Sequence, residues 1–298
     1  LGMVGEQRSK ARSITLRSNQ IKTRYYAIKD GKVTHTNADL AANAINQLFR
    51  DNFKLEDLEL LACGTTGPDQ LLPSHASMVH GLVGGNYEII TTSGACLTST
   101  QAFKYAYMAI LCGDKTNAIV TGSERASAFL KSNNFREEAE NIKLIQNNPY
   151  VAFEKDFLRW MLSDGAGALL LQNAPIPDKI CLKVEWIDIL SYANNMDTCM
   201  YIGGVKDEAG KFTSWLDLPQ NDWIRNSVFS IKQDIKLLGE HVVQLAAEFL
   251  KRTVEKRALE LNQINWFLPH ISSHFFYQKL YEEMKNQNVE ISLDKWFT

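Results

Sequence analysis

Between residues 38 and 171 the apolar positions alternate between a helical period and short continuous runs. Leu40, Ala44, Ile45 and Leu48 recur at helical spacing, and Asn37 is placed to cap a helix over 38–50. Residues 58–63 form an apolar run broken only by Glu59, and Gly64-Thr65-Thr66-Gly67-Pro68 closes it as a loop. Ser74 opens a second helix reaching about Gly81, and 88–92 is a second strand. A helix over 97–112 stops at Gly113, and a strand over 118–121 stops at Gly122. Residues 135–145 read as a polar helix or loop and 152–161 as a helix. Ser163-Asp164-Gly165-Ala166-Gly167 then turns into an apolar strand over 168–171. Helix alternating with strand predicts an α/β protein with largely parallel sheets.

Pro175-Ile176-Pro177 breaks the pattern, which then starts again. Residues 181–190 are strand-like, 195–225 read as a long loop region, and 232–256 is a long amphipathic helix. A buried strand over 265–268 and a helix over 274–286 follow. The order helix, short turn, buried strand and loop occurs at 38–68 and again at 240–269. This repeated layout predicts two related halves, 1–174 and 175–298.

The formal net charge of −2, with 45% hydrophobic and 22% charged residues, describes an ordinary globular chain without a nucleic-acid surface. One stretch departs from that balance: Arg8, Lys10, Arg12, Arg17, Lys22 and Arg24 make residues 8–24 basic. They read as a solvated arm or as an anion-binding entrance for a nucleotide or phosphopantetheine. Cys63, Cys96, Cys112, Cys181 and Cys199 are odd in number and widely spaced. That excludes a disulfide framework and a zinc ribbon and predicts a reducing, cytoplasmic setting. No apolar stretch is long enough to span a membrane, and no signal peptide is expected. The start at Leu1 and the end at Trp296-Phe297-Thr298 predict a chain cut from a longer one.

Candidate chemistry concentrates at Thr91-Thr92-Ser93-Gly94-Ala95-Cys96-Leu97-Thr98-Ser99. A strand runs through small residues into a helix, which puts the Cys96 thiol at or just before a helix N-terminus. Unsatisfied N–H groups there favour a thiolate and an oxyanion. A small buried hydrophobe at a strand–helix junction has the same local pattern. Trp266-Phe267-Leu268-Pro269-His270 ends a strand on an imidazole, which can donate to a thioester carbonyl or serve as a polar loop residue. His270 and His274 stand four apart, but no third ligand completes a metal site. His75 and His80, on the helix after Pro73, border such a site or are satisfied within the core.

The Cys96 segment resembles the active-site turn of the β-ketoacyl-acyl-carrier-protein synthase III family. The resemblance extends upstream to 57–61, Thr65-Thr66-Gly67-Pro68-Asp69 and Pro73-Ser74. Downstream it takes in 113–124, with its Gly-Ser-acid end, the Asp164-Gly165-Ala166-Gly167-Ala168 block and Pro269-His270. Residues 17–24 look like the family's Arg-Thr-Gly-Ile-x-x-Arg block with one extra residue and no glycine. The resemblance implies a thiolase-like fold of two pseudo-duplicated α/β halves in αβαβα layers, the second incomplete, and a homodimer. It implies Cys96 as nucleophile and His270 as its partner, with Arg17, Arg24, Leu97 and Ser273 at the substrate. The implied reaction is decarboxylative Claisen condensation of an acyl-CoA or acyl-carrier-protein thioester with malonyl-acyl-carrier-protein, without cofactor or metal. Condensation of two β-ketoacyl chains in secondary lipid synthesis, as in a branch making dialkylresorcinol-type lipids, and a non-catalytic partner subunit are the alternatives.

The sequence departs from the family at two places. Ile271-Ser272-Ser273-His274 stands where the family has Gln-Ala-Asn and a basic residue. The family's Gly-Asn-Thr block, with its catalytic asparagine, has no counterpart before Thr298 and is expected beyond it.

Overall fold

The structure is a computed structural model that describes residues 3–4, 7–8, 12–50, 52–131, 158, 161–207 and 209–298. The expected segment at 135–145 and nearly all of the expected helix at 152–161 lie outside the described residues. Two compact units are present. One is Tyr25–Ala128 with Ser163–Ile189, and the other is Leu1–Arg24, Phe129–Leu162 and Leu190–Thr298.

The first unit is an α/β sandwich. Helix α2 (Asn37–Asn46) follows α1 (Arg12–Asn19) of the other unit in the chain and begins in a capping box. The Thr36 hydroxyl accepts from Asp39 N, and the Asp39 carboxylate accepts from Thr36 N at 2.8 Å. Asp69, from the loop after the next strand, accepts from Asn37 N at 3.0 Å and Ala38 N at 2.9 Å. The N–H groups that a helix leaves orphaned are thus taken up by side chains. Thr36, not Asn37, is the cap. Asn37 is fully buried and turns its amide into the sheet end.

The sheet contains β1 (Leu60–Thr65), β2 (Glu88–Ser93), β3 (Asn117–Arg125) and β4 (Asp164–Gln172), in the order β2-β1-β3-β4. The first three are parallel, and β4 runs antiparallel to β3. Every residue of β1 is buried, as a central parallel strand requires, which is why it reads as a continuous apolar run. Leu61 and Cys63 of β1 and Ile119 of β3 face α2 and α3 (His75–Val83), together with Ala41, Ile45, Ala76 and Val79. Leu60, Ala62, Ala118 and Val120 face α4 (Thr98–Leu111), through Ala102 and Ala106. Because α3 links β1 to β2 on one face and α4 links β2 to β3 on the other, the carboxyl ends of these strands form a topological switch point. Open α/β sheets bind ligands at such a point. Asp164 belongs to β4 itself, not to a turn before it, and it clamps neighbouring segments by accepting from Ala27 N at 2.7 Å and Ser127 N at 2.8 Å.

In the second unit, α5 (Gln220–Arg225) lies in the stretch expected as loop, where Trp215, Trp223 and Phe229 form an aromatic cluster with centroids 5.4 to 5.7 Å apart. Helix α6 (Ile235–Arg257) is capped by Asp234 and packs with α7 (Tyr277–Asn286) around Ala247, Met284, Val289, Ile291 and Trp296. Two strand expectations need correction. Residues 181–190 form no strand, and Ile180 and Leu182 are almost fully exposed. Residues 265–268 contribute only an isolated bridge, in which Phe267 N donates to Lys295 O at 2.8 Å and Phe297 N to Phe267 O at 2.9 Å. The alternating apolar residues there serve ring packing, with Phe267 against Trp296 at 5.1 Å, and form no ladder. No described helix is long and apolar enough to cross a membrane.

Candidate active site

Two glycines set the height of the cysteine turn. A Cβ at Gly64 would lie 2.5 Å from Ser99 N, and one at Gly122 would lie 2.7 Å from Ser99 Cβ. Side chains on β1 and β3 at these positions would lift the first turn of α4 off the sheet. Thr92 Oγ1 donates to Thr98 O at 2.7 Å and fixes the same turn from β2. Ala95 O accepts from Thr98 N at 3.1 Å, so Cys96 and Leu97 occupy the middle of a tight turn at the carboxyl edge of the sheet. Cys96 is exposed, and Leu97, the N-cap of α4, is 40% exposed.

The expectation of a thiol eased toward thiolate is not met at rest. Loss of hydration raises the Cys96 thiol above its ordinary value, its own backbone N–H opposes this, and the Glu124 carboxylate adds to the rise. Cys96 stands one residue before the cap, so the helix end does not dominate its surroundings. Cys63 is a different case: buried in β1, it is pushed up to about 12 by burial, which makes it an inert core residue.

Glu124 is a charged group acting on Cys96 that sequence reasoning passed over. It is the penultimate residue of β3, where Thr66 N–H donates to Oε1, Gly67 N to Oε2 at 3.3 Å and Thr65 Oγ1 to Oε2 at 3.5 Å. Burial raises this carboxyl above the ordinary carboxylate value, and the hydrogen bonds from the Thr65–Gly67 loop hold it back. Asn37 Nδ2 donates to Thr65 Oγ1 at 2.9 Å and to Gly67 O at 3.0 Å, so α2, the loop and β3 share one polar network. The Gly-Ser-acid block at 122–124 was the only signal for it in the sequence. His75 is buried and bonds Ser123 Oγ through Nε2 at 3.0 Å, while His80 bonds Gly85 O at 3.1 Å. His80 is thus bonded within the fold, whereas the buried Nδ1 of His75 has no hydrogen-bond partner. Burial lowers the His75 imidazole below its ordinary value.

The remaining expected site residues belong to the second unit. His270 is exposed just after the Phe267 bridge. Ser273 is buried and caps the turn His274–Phe276 by accepting from Phe275 N at 3.3 Å, which gives it a structural task. Arg17 is exposed on α1, and that helix packs on the same His274–Phe276 turn. Arg24 is half-buried in the extended segment after α1.

Residues 34–175, which hold the cysteine turn and the whole sheet, match the family described as "Beta-ketoacyl synthase, N-terminal domain". Over that stretch the chain is similar to the β-ketoacyl synthases. It is 25% identical over 235 residues to β-ketoacyl-[acyl-carrier-protein] synthase III of Limosilactobacillus reuteri, an alignment covering 78% of this chain and 62% of that enzyme. The chain therefore spans about three fifths of the length of that curated relative. It superposes on the synthase III of Thermus thermophilus with a TM-score of 0.63 at 15% identity, over 94% of this chain and 73% of that one. With AbyA1, a tetronic acid condensing enzyme, the TM-score is 0.61 at 21% identity, over 89% and 70% of the two chains. The fold is thus that of the thiolase-type condensing enzymes.

Proposed function

We propose that this chain is the acyl-accepting part of a condensing enzyme that forms a carbon–carbon bond between thioesters. The observation that carries this is the Cys96 turn, fixed by Gly64, Gly122 and Thr92 at the switch point of a sheet. The Cys96 sulfur attacks an acyl-CoA or acyl-carrier-protein thioester. A new carbon–sulfur bond forms, the old one breaks, and the thiol proton leaves with the departing thiol. Dividing the reaction at an acyl-enzyme makes each part easier. Malonyl-acyl-carrier-protein then loses carbon dioxide, and its enolate attacks the acyl group and expels the Cys96 sulfur. His270 is the proposed donor to the enolate oxygen, with Arg17, Arg24 and Leu97 at the substrate and no cofactor. A homodimer in the cytoplasm is the proposed setting.

Incubation with a short acyl-CoA followed by intact-mass measurement tests the reading. One acyl group is expected on the wild type and none on Cys96→Ser, whereas His270→Ala keeps the acyl group and loses condensation. An acyl group that persists in Cys96→Ser would place the nucleophile elsewhere. A second reading, a non-catalytic partner of an active synthase, is favoured by the raised Cys96 thiol and by Ser273, which acts as a helical cap. It expects no acyl group at all.

A further inference from the structure

On the face of the sheet that carries α4, the positions of β3 that point toward the helix are Ala118, Val120, Gly122 and Glu124. Ala118 and Val120 pack on Ala102 and Ala106, and Gly122 lies under Ser99. Glu124 is the next side chain on that face, roughly 7 Å further along the strand. Cys96 precedes Ser99 by about one turn in the same direction. The carboxylate is therefore directed beneath the nucleophile turn, and three donors from Thr65, Thr66 and Gly67 hold it there. We infer that Glu124 is a positioning residue for Cys96, whose negative charge, held under the nucleophile turn by the loop after β1, governs the reactivity of the thiol. This deepens the proposed acyl-acceptor role and rests on it.

Within this unit no other charge on the sheet or on α4 competes at this place among the described residues. Arg125 points to the opposite face and pairs with Asp69 at 3.0 Å. Glu88 lies at the far end of β2, engaged with Tyr105 and Lys115. Strand β1 carries no charge, and Lys104 is the first charged residue of α4. Asp164 of β4 is spent on Ala27 and Ser127, and His75 is on the α2–α3 face. A fixed carboxylate close to a thiol disfavours the thiolate. The resting cysteine is thereby protected from stray electrophiles and oxidants, and its reactivity depends on how the Thr65–Gly67 loop holds Glu124.

The test is the pH profile of iodoacetamide alkylation at Cys96, read peptide by peptide with exposed Cys112 and Cys181 as internal references. Glu124→Gln, which removes the charge, is expected to move the Cys96 midpoint down and to speed alkylation at pH 7.5 about 3- to 10-fold relative to Cys112. Glu124→Asp, which keeps the charge while disturbing the loop, is expected to stay close to the wild type. An unchanged midpoint in Glu124→Gln, or an equal shift in Glu124→Asp, overturns the inference. If Glu124→Gln does not fold, as read by circular dichroism, the wild-type profile decides, and a Cys96 midpoint no higher than that of Cys112 overturns it. None of these readouts requires acyl transfer. A shifted midpoint in a protein that takes up no acyl group supports the role of Glu124 and sinks the acyl-acceptor reading. An unshifted one in a protein that is acylated does the reverse.

Discussion

Cys96 and His270 both follow an apolar segment, but the two segments are held by different means. The cysteine follows β2, paired along six residues with a fully buried β1, and a helix pressed on two glycines sets the turn. The histidine follows a segment anchored at one residue, Phe267, by two backbone hydrogen bonds and a cluster of edge-on rings around Trp296. A ladder distributes its restraint over many groups, whereas a ring cluster concentrates it in one side chain. The position of Cys96 should accordingly resist any single deletion in the sheet except at the glycines, and the support of His270 should fail with one residue.

The largest expected effect tests that contrast directly. Trp296→Ala removes the common neighbour of Phe267, Tyr277 and Tyr281 and should cost about 3–5 kcal/mol in the second unit. It should also speed hydrogen exchange at the Phe267 amide. A Phe267 amide that stays protected would mean that the segment has support beyond the rings. Next is Gly64→Ala, where the added carbon meets backbone atoms of Thr98 and Ser99 that cannot yield. A loss of about 3 kcal/mol in urea unfolding is expected, and a neutral result would show that α4 can lift freely. Asn37→Leu deletes the donor to Thr65 and Gly67 while filling the space, and should cost about 2 kcal/mol.

A further effect depends on pH. Lys232 donates to Gly204 O at 3.2 Å and Asn226 O at 2.9 Å, and burial lowers it to about 8. The unfolded chain binds this proton more readily, so between about pH 8 and the ordinary lysine value the contribution of Lys232 to stability rises with pH. Urea unfolding at pH 7.5 and pH 10 should show this increment in the wild type relative to Lys232→Met. Equal pH dependence in the two proteins would mean that the ammonium is not penalised by its surroundings.

The same contrast explains what could be read from the sequence. Strands β1 to β4 and helices α2 to α4 were legible because a sheet covered on both faces writes its burial into the period of its apolar residues. The cysteine turn was legible as a strand–helix junction of small residues, and the family resemblance singled out its thiol. The segments at 181–190 and 265–268 were misread as strands, since Trp266, Phe267 and Leu268 have the composition of a strand while their partners are rings from distant positions. Thr36 as the cap was legible in the spacing of Thr36 and Asp39 and was overlooked for Asn37, whose N–H is instead taken up by Asp69 from another loop. Glu124 was missed for another reason: a carboxylate shows its task only through the amides folded around it, and backbone amides leave no trace in the order of residues.

The pairing of Leu61 with Ile89 on one side and with Ile119 on the other has a consequence for how the chain acquires its shape. The central strand cannot be completed until two long crossings have closed, and β4 must then return across a further stretch to lie beside β3. Closing such loops costs entropy before any pairing rewards it. Helices α6 and α7, close together in the chain, face a far shorter search. In stopped-flow refolding, the helical signal of that pair should recover first. The cysteine turn, which needs β1, β2 and β3 together, should be among the last places to become ordered.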